Sequence, residues 1–144
     1  MARTPSEILA SIDEFEPDGM TWIGLDGLLD ELFASGSAAL GTDTMLRVFE
    51  RHQVGEDGAG VFWSIVHGLE SLPGYESHLA DSIRRAPSEF GLLMVHRLLN
   101  GGVREAAGMS LISLLEDVVQ SEQTADELRV QAVRFLNRHK EETL

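Results

Sequence analysis

The chain has 144 residues and no cysteine, and its 11 basic residues stand against 24 acidic ones, which gives a net charge of −13. This length suits one domain, and a hydrophobic content of 43 % is too high for a chain that is disordered throughout. The lack of cysteine excludes disulfides and thiol chemistry, and the negative charge makes nucleic acid, itself a polyanion, an unfavourable partner.

The charge is unevenly distributed along the chain. Residues 1–60 carry twelve acids and three arginines, residues 61–100 carry four and three, and residues 101–144 carry eight acids and five bases. An acidic end joined to a nearly neutral, apolar middle indicates a packed core that presents a negative face to a basic partner. We find neither an apolar leader nor a run of eighteen apolar residues, so we expect a cytoplasmic protein without membrane contacts.

Start and stop signals predict helices in succession. A capping box with proline at the first helical position, Thr4-Pro5-Ser6-Glu7, begins a helix over about 5–15, and Pro17-Asp18-Gly19 ends it. The second helix, about 21–35, carries an apolar stripe and stops at Gly36. Six more helices are predicted at about 43–52, 61–72, 75–85, 88–99, 104–120 and 124–140. No alternating pattern predicts a strand.

The predicted helices favour a stacked arrangement. The sixth, 88–99, is apolar on nearly every side, which requires neighbours on several sides. Val66-His67-Gly68-Leu69 recurs as Val95-His96-Arg97-Leu98, and Arg97-Leu98-Leu99-Asn100 recurs as Arg134-Phe135-Leu136-Asn137. Such echoes are typical of degenerate helical-hairpin repeats. We predict one all-α domain over 1–144, with about eight helices in antiparallel hairpins forming a HEAT-like stack; an irregular helical bundle is the alternative.

No motif predicts catalysis, a metal or a cofactor. The histidines form neither Glu-x-x-His nor His-Glu-x-x-His, and we interpret His67 and His96 as hydrogen-bonded residues between helices. The glycine-rich segment Gly55–Gly60 contains two acids that would repel a phosphate. Residues 14–25 lack the final glutamate of a calcium loop, and Ser110 lacks the second glycine of a nucleophile elbow.

The acidic N-terminal part contains the predicted partner-binding surface. Asp26 and Asp30 are spaced i, i+4 beside Trp22, and a large aromatic residue next to acids is typical of a hot spot for a basic partner. An ordinary solvated face of an acidic protein is the other interpretation. The predicted residues are Asp13, Glu14, Glu16, Asp18, Trp22, Asp26, Asp30 and Glu31. The secondary candidates are Trp63, Tyr75 and Glu76. Trp63 either packs against the neighbouring hairpin or is exposed as a second anchor.

Residues 61–100 carry a resemblance to a known group of proteins. They contain Phe62-Trp63-Ser64-Ile65-Val66-His67-Gly68-Leu69-Glu70-Ser71-Leu72-Pro73-Gly74-Tyr75-Glu76, then Pro87-Ser88-Glu89-Phe90 and Arg97-Leu98-Leu99-Asn100. This pattern resembles small bacterial proteins with HEAT-like folds that act as immunity partners of polymorphic and contact-dependent toxins. The resemblance implies a non-enzymatic cytoplasmic antidote that binds one toxin domain and blocks its active site. It implies no particular binding residues, because such interfaces diverge with their toxins.

The charge agrees with the function that this resemblance implies. Many such toxins are nucleases, which are basic because their substrate is a polyanion, so an acidic surface would mimic that substrate. Two alternatives remain open: a general helical adaptor or chaperone-like scaffold with several partners, and an enzyme with an undetected metal. The sequence predicts no oligomeric state.

Overall fold

The computed structural model describes residues 3–18, 21–53 and 59–141. They form eight α-helices: α1 (Pro5–Glu14), α2 (Ile23–Ala34), α3 (Thr42–Arg51), α4 (Ala59–Glu70), α5 (Tyr75–Arg85), α6 (Glu89–Asn100), α7 (Leu111–Gln120) and α8 (Asp126–Glu141). A 3₁₀ helix, Ala38–Gly41, precedes α3, and two short antiparallel strands, β1 (Glu105–Ala106) and β2 (Met109–Ser110), precede α7. The prediction of an all-α fold is confirmed. Residues 55–58 of the predicted glycine-rich segment lie outside the described residues.

Side-chain caps fix the beginnings of two helices at the predicted places. The Thr4 hydroxyl accepts a hydrogen bond from the Glu7 backbone N–H at 3.2 Å, and the Glu7 carboxylate accepts one from the Thr4 N–H at 3.1 Å. Hydrogen bonds to Thr4 lower the pKa of Glu7; the bond to the Thr4 backbone has the larger effect, and the bond to its side chain the smaller. At the start of α6, the Ser88 hydroxyl accepts from the Gly91 N–H at 2.9 Å, which satisfies one of the free donors of that helix end.

The β-hairpin before α7 corrects the sequence prediction of a helix from about residue 104. Ala107 and Gly108 join the two strands with φ angles of 56° and 72°. Positive φ at both positions is what a two-residue hairpin turn requires, and alanine is an unusual residue there, so the pattern gave no signal. Ser110 then caps α7 by accepting from the Ser113 N–H at 3.2 Å, which starts the helix at residue 111.

The helices are arranged in two layers. α1, α3, α5 and α7 contact one another in that order in the first layer, and α2, α4, α6 and α8 do so in the second. Each odd-numbered helix also contacts the even-numbered helix that follows it, so the molecule is a stack of four helix pairs. Within the second layer, α2 and α4 run parallel: Trp22 before α2 contacts Phe62 near the start of α4, and Phe33 near the end of α2 lies against Gly68 near the end of α4.

α6 lies at the centre of the stack, as its apolar sequence predicts. It contacts α3, α4, α5, α7 and α8. Its buried residues are Phe90, Gly91, Leu92, Met94, Val95, Leu98 and Leu99. Within residues 3–18, 21–53 and 59–141, no helix combines the length and apolar composition needed to cross a membrane.

Candidate protein-binding surface

α2 has one buried and one exposed face. Its leucines Leu25, Leu28, Leu29 and Leu32 are buried, whereas Ile23, Asp26, Gly27 and Asp30 are exposed to solvent. Ile23 is 78 % exposed, which leaves nearly its whole side chain available for contact with another molecule. The outer face of α2 therefore presents an apolar side chain followed by two carboxylates at helical spacing.

Trp22 does not belong to this exposed face. Its side chain is only 7 % exposed, and its ring centroid lies 4.8 Å from His52, 5.2 Å from Phe62 and 5.9 Å from Phe15. The residue precedes the first turn of α2 and points towards α4, where it joins the aromatic core. The prediction of Trp22 as a partner-binding anchor is corrected on this ground: the apolar group beside Asp26 and Asp30 is the next residue, Ile23.

Two of the predicted acids are held by arginines. The Arg47 guanidinium donates two hydrogen bonds of 3.0 Å to the two Asp13 oxygens, and Arg51 lies 3.7 Å from the same carboxylate. Arg3 forms a bidentate pair with Glu31. Asp13 thereby links α1 to α3, and Glu31 links the chain before α1 to α2. Both carboxylates serve contacts within the fold.

The remaining predicted acids are exposed, and no basic group among the described residues forms an ion pair with them. Asp26 and Asp30 lie on α2, Glu14 ends α1, and Glu16 and Asp18 lie on the connection between the two helices. The backbones of Asp18 and Thr21 pair with each other, which brings the end of this connection back towards Ile23. We call this group the α2 acidic surface; it consists of Glu14, Glu16, Asp18, Asp26, Asp30 and the exposed Ile23.

The sequence explains why these acids lack partners. Residues 4–46 contain nine acids and no lysine, arginine or histidine. Farther along the first layer, two acids are paired across neighbouring helices: Glu50 contacts Arg85 at 3.0 Å and Asp43 contacts His78 at 2.8 Å. The negative potential of the molecule is therefore concentrated at the α1–α2 end of the stack.

The secondary candidates have different surroundings. Trp63 of α4 is 37 % exposed, packs its ring edge-to-face on Phe90 at 5.9 Å, and has the Arg97 guanidinium 5.7 Å from its ring centroid. It is thus both packed and partly accessible, on the helix that lies beside α2. Tyr75 is buried, and burial raises its pKa to about 12, so its prediction as a surface anchor is corrected. Glu76 is half-buried at the start of α5.

The other candidate groups have structural surroundings. Within the described ranges, no three His, Asp or Glu residues are placed to hold a metal ion. His96 Nδ1 lies 2.7 Å from His139 Nε2 across the α6–α8 contact, as interpreted from the sequence, whereas His67 is exposed. Ser110 caps α7. A groove of about 390 Å³ between the α5–α6 and α7–α8 turns is lined by two arginines, one aspartate and two hydroxyl groups but by no histidine.

Comparisons with models of protein families, with curated proteins and with solved structures give no match. The function is therefore inferred from the surface of this chain.

Proposed function

We propose that this chain is a cytoplasmic, non-enzymatic immunity protein that neutralises a basic, nuclease-like toxin domain, and that its stack of helix pairs is HEAT-like. The observation that carries the proposal is the α2 acidic surface. Five exposed carboxylates without a basic partner among the described residues lie on α1, α2 and the connection between them, together with an isoleucine that is 78 % exposed. Acids of this kind accelerate encounter with a basic protein, and a central apolar residue supplies contact area.

The separation of paired and unpaired acids supports this use of the surface. Asp13 and Glu31 hold the first helix pair together through arginines. The five carboxylates of the α2 acidic surface make no ion pair within the described residues. A partner's lysines and arginines would therefore not compete with an internal salt bridge at this surface. A nuclease presents such a basic surface at its substrate site, and an acidic occupant would exclude the phosphate backbone.

The test begins with capture of the partner from lysate of the source organism on three immobilised proteins. These are the native chain, Asp26→Arg with Asp30→Arg, and a control, Asp81→Arg with Glu122→Arg, which makes the same charge change at exposed acids on α5 and after α7. We expect the native chain and the control to retain one basic protein. The α2 variant should bind it at least about tenfold more weakly, because two attractive contacts become repulsive.

Growth rescue then tests the function itself. The domain that binds the native chain is expressed alone and should arrest growth, and co-expression of the native chain or the control should restore it. The α2 variant should restore growth poorly at equal expression. A captured domain that is harmless, or equal rescue by all three proteins, would contradict the proposal; several unrelated captured proteins would favour the adaptor alternative.

A further inference from the structure

α8, at the opposite end of the stack from α1 and α2, presents a second unusual surface. Leu128, Ala132 and Leu136 are buried against the stack. On the outer face, Val130 is 57 % exposed and Val133 is 38 % exposed. Val130 also borders a groove of about 460 Å³ that includes Phe135 of the same helix and Glu89 of α6. This helix therefore leaves apolar side chains and an adjoining depression uncovered.

The charges on this face change sign along the helix. Its exposed stripe begins with Asp126 and Glu127, continues with the two valines, and then reaches Arg134. Glu127 and Arg134 make no ion pair among the described residues, and Val130 lies almost midway between them in sequence. α8 is also the only described helix in which lysines and arginines outnumber acids, by four to three.

We propose that the exposed face of α8 binds the same face of a second copy of this chain, with the two helices antiparallel about a two-fold axis near Val130. A two-fold contact joins a surface to itself, so it must be self-complementary. The antiparallel arrangement places Glu127 of each copy opposite Arg134 of the other and brings the exposed valines together. A parallel arrangement would oppose like charges.

The distribution of charge favours a second copy of this chain as the partner that covers the exposed face of α8. Each chain carries a net charge of −13, so most surfaces of two copies repel each other. The face of α8 escapes most of this repulsion because Glu127 and Arg134 place opposite charges on its exposed stripe. Pairing there also leaves both α2 acidic surfaces at the outer ends of the assembly. The proposal is independent of the proposed function.

Analytical ultracentrifugation over a range of protein concentrations tests the pair. We expect the native chain to reach twice the mass of one chain at high concentration. Glu127→Arg and Arg134→Glu should each weaken association about tenfold, because each replaces two symmetry-related attractions by repulsions. The double variant Glu127→Arg with Arg134→Glu should restore it, since it exchanges the charges across the same two contacts. Glu122→Arg, the same charge change outside α8, should have no effect.

Disulfide trapping gives a second, independent measurement. It is specific because the chain has no native cysteine, so only the introduced cysteines can be cross-linked. Val130→Cys should form a covalent dimer rapidly under mild oxidation, whereas Val103→Cys, at another exposed valine, should not. Three results would overturn the proposal: a native chain with the mass of one chain at every concentration, a double variant as weak as the single ones, or a mass that keeps growing with concentration. The last would indicate open head-to-tail association.

Discussion

Trp22 and Ile23 are neighbours in sequence with opposite surroundings. The tryptophan is enclosed by Phe15, His52 and Phe62, whereas the isoleucine is 78 % exposed. Trp22 is the last residue before α2 and Ile23 is the first residue of the helix, so the two side chains point in different directions and a shift of one position separates a core residue from a surface residue. The distinction matters for the proposed function because, of the two side chains, only the isoleucine is accessible from solvent.

We therefore expect Trp22→Ala to lower the free energy of unfolding by about 3–5 kcal/mol, as for other large aromatic residues removed from a core. Trp63→Ala, at the partly exposed tryptophan, should cost less than about half of that. Urea unfolding followed by circular dichroism measures both variants. Equal losses would mean that Trp22 is no more buried than Trp63.

Two glycines within helices have different surroundings: one lies at the contact between α2 and α4, and the other on the outer face of α2. A Cβ at Gly68 would lie 2.7 Å from the nearest ring atom of Phe33, so the missing side chain lets α2 approach α4 closely. A Cβ at Gly27, on the outer face of α2, would meet no heavy atom within 4 Å. The first glycine is therefore a packing requirement, and the second only weakens its helix.

Alanine at these two positions should have opposite effects. Gly27→Ala should raise the free energy of unfolding by about 0.5–1 kcal/mol through the higher helix propensity of alanine. Gly68→Ala gains the same propensity but overpacks the α2–α4 contact, which costs about 1–3 kcal/mol, so a net loss is expected. Thermal or urea unfolding distinguishes the signs. If both variants are stabilised, the Phe33 ring has moved aside without cost.

At the scale of the whole molecule, charge and stability oppose each other. The cross-helix ion pairs are partly exposed and contribute little individually. The excess of acids, concentrated at the α1–α2 end, repels itself in the folded state. The same concentration of charge that favours a basic partner thus destabilises the free protein.

The free energy of unfolding should consequently increase with salt. Between about 0.01 M and 0.15 M NaCl the screening length falls from about 30 Å to about 8 Å, which weakens repulsion between acids on different elements. Asp30→Asn should add a few tenths of a kcal/mol at low salt, since Asp26 lies at i−4 on the same helix face, and should reduce the salt dependence. Urea is the suitable denaturant because it is uncharged. A fall in stability with salt would mean that the ion pairs outweigh the repulsion.

Local signals in the sequence predicted the helices well, but they missed long-range ion pairs and one turn with an unusual backbone conformation. Thr4 and Ser88 act on backbone donors within the next three residues, so their caps are visible in the sequence. The pairing of Asp13 with Arg47 joins residues 34 positions apart and depends on how α1 packs on α3. Sequence alone therefore identified the acids of the candidate surface without separating the paired from the unpaired ones. The hairpin turn at Ala107 was missed because its backbone conformation is rare for alanine.

The two-layer arrangement also determines how such a molecule can change over generations. α1 and α2 contact mainly α3, α4 and the 3₁₀ helix between the pairs, while the packing of α5–α8 is completed among later helices. Substitutions on the outside of the first pair leave that later packing untouched, so the exterior of α2 can change without loss of the interior packing. Under the proposed function, recognition and folding are thus assigned to separate parts of one small chain, and a new partner would require only a new exterior.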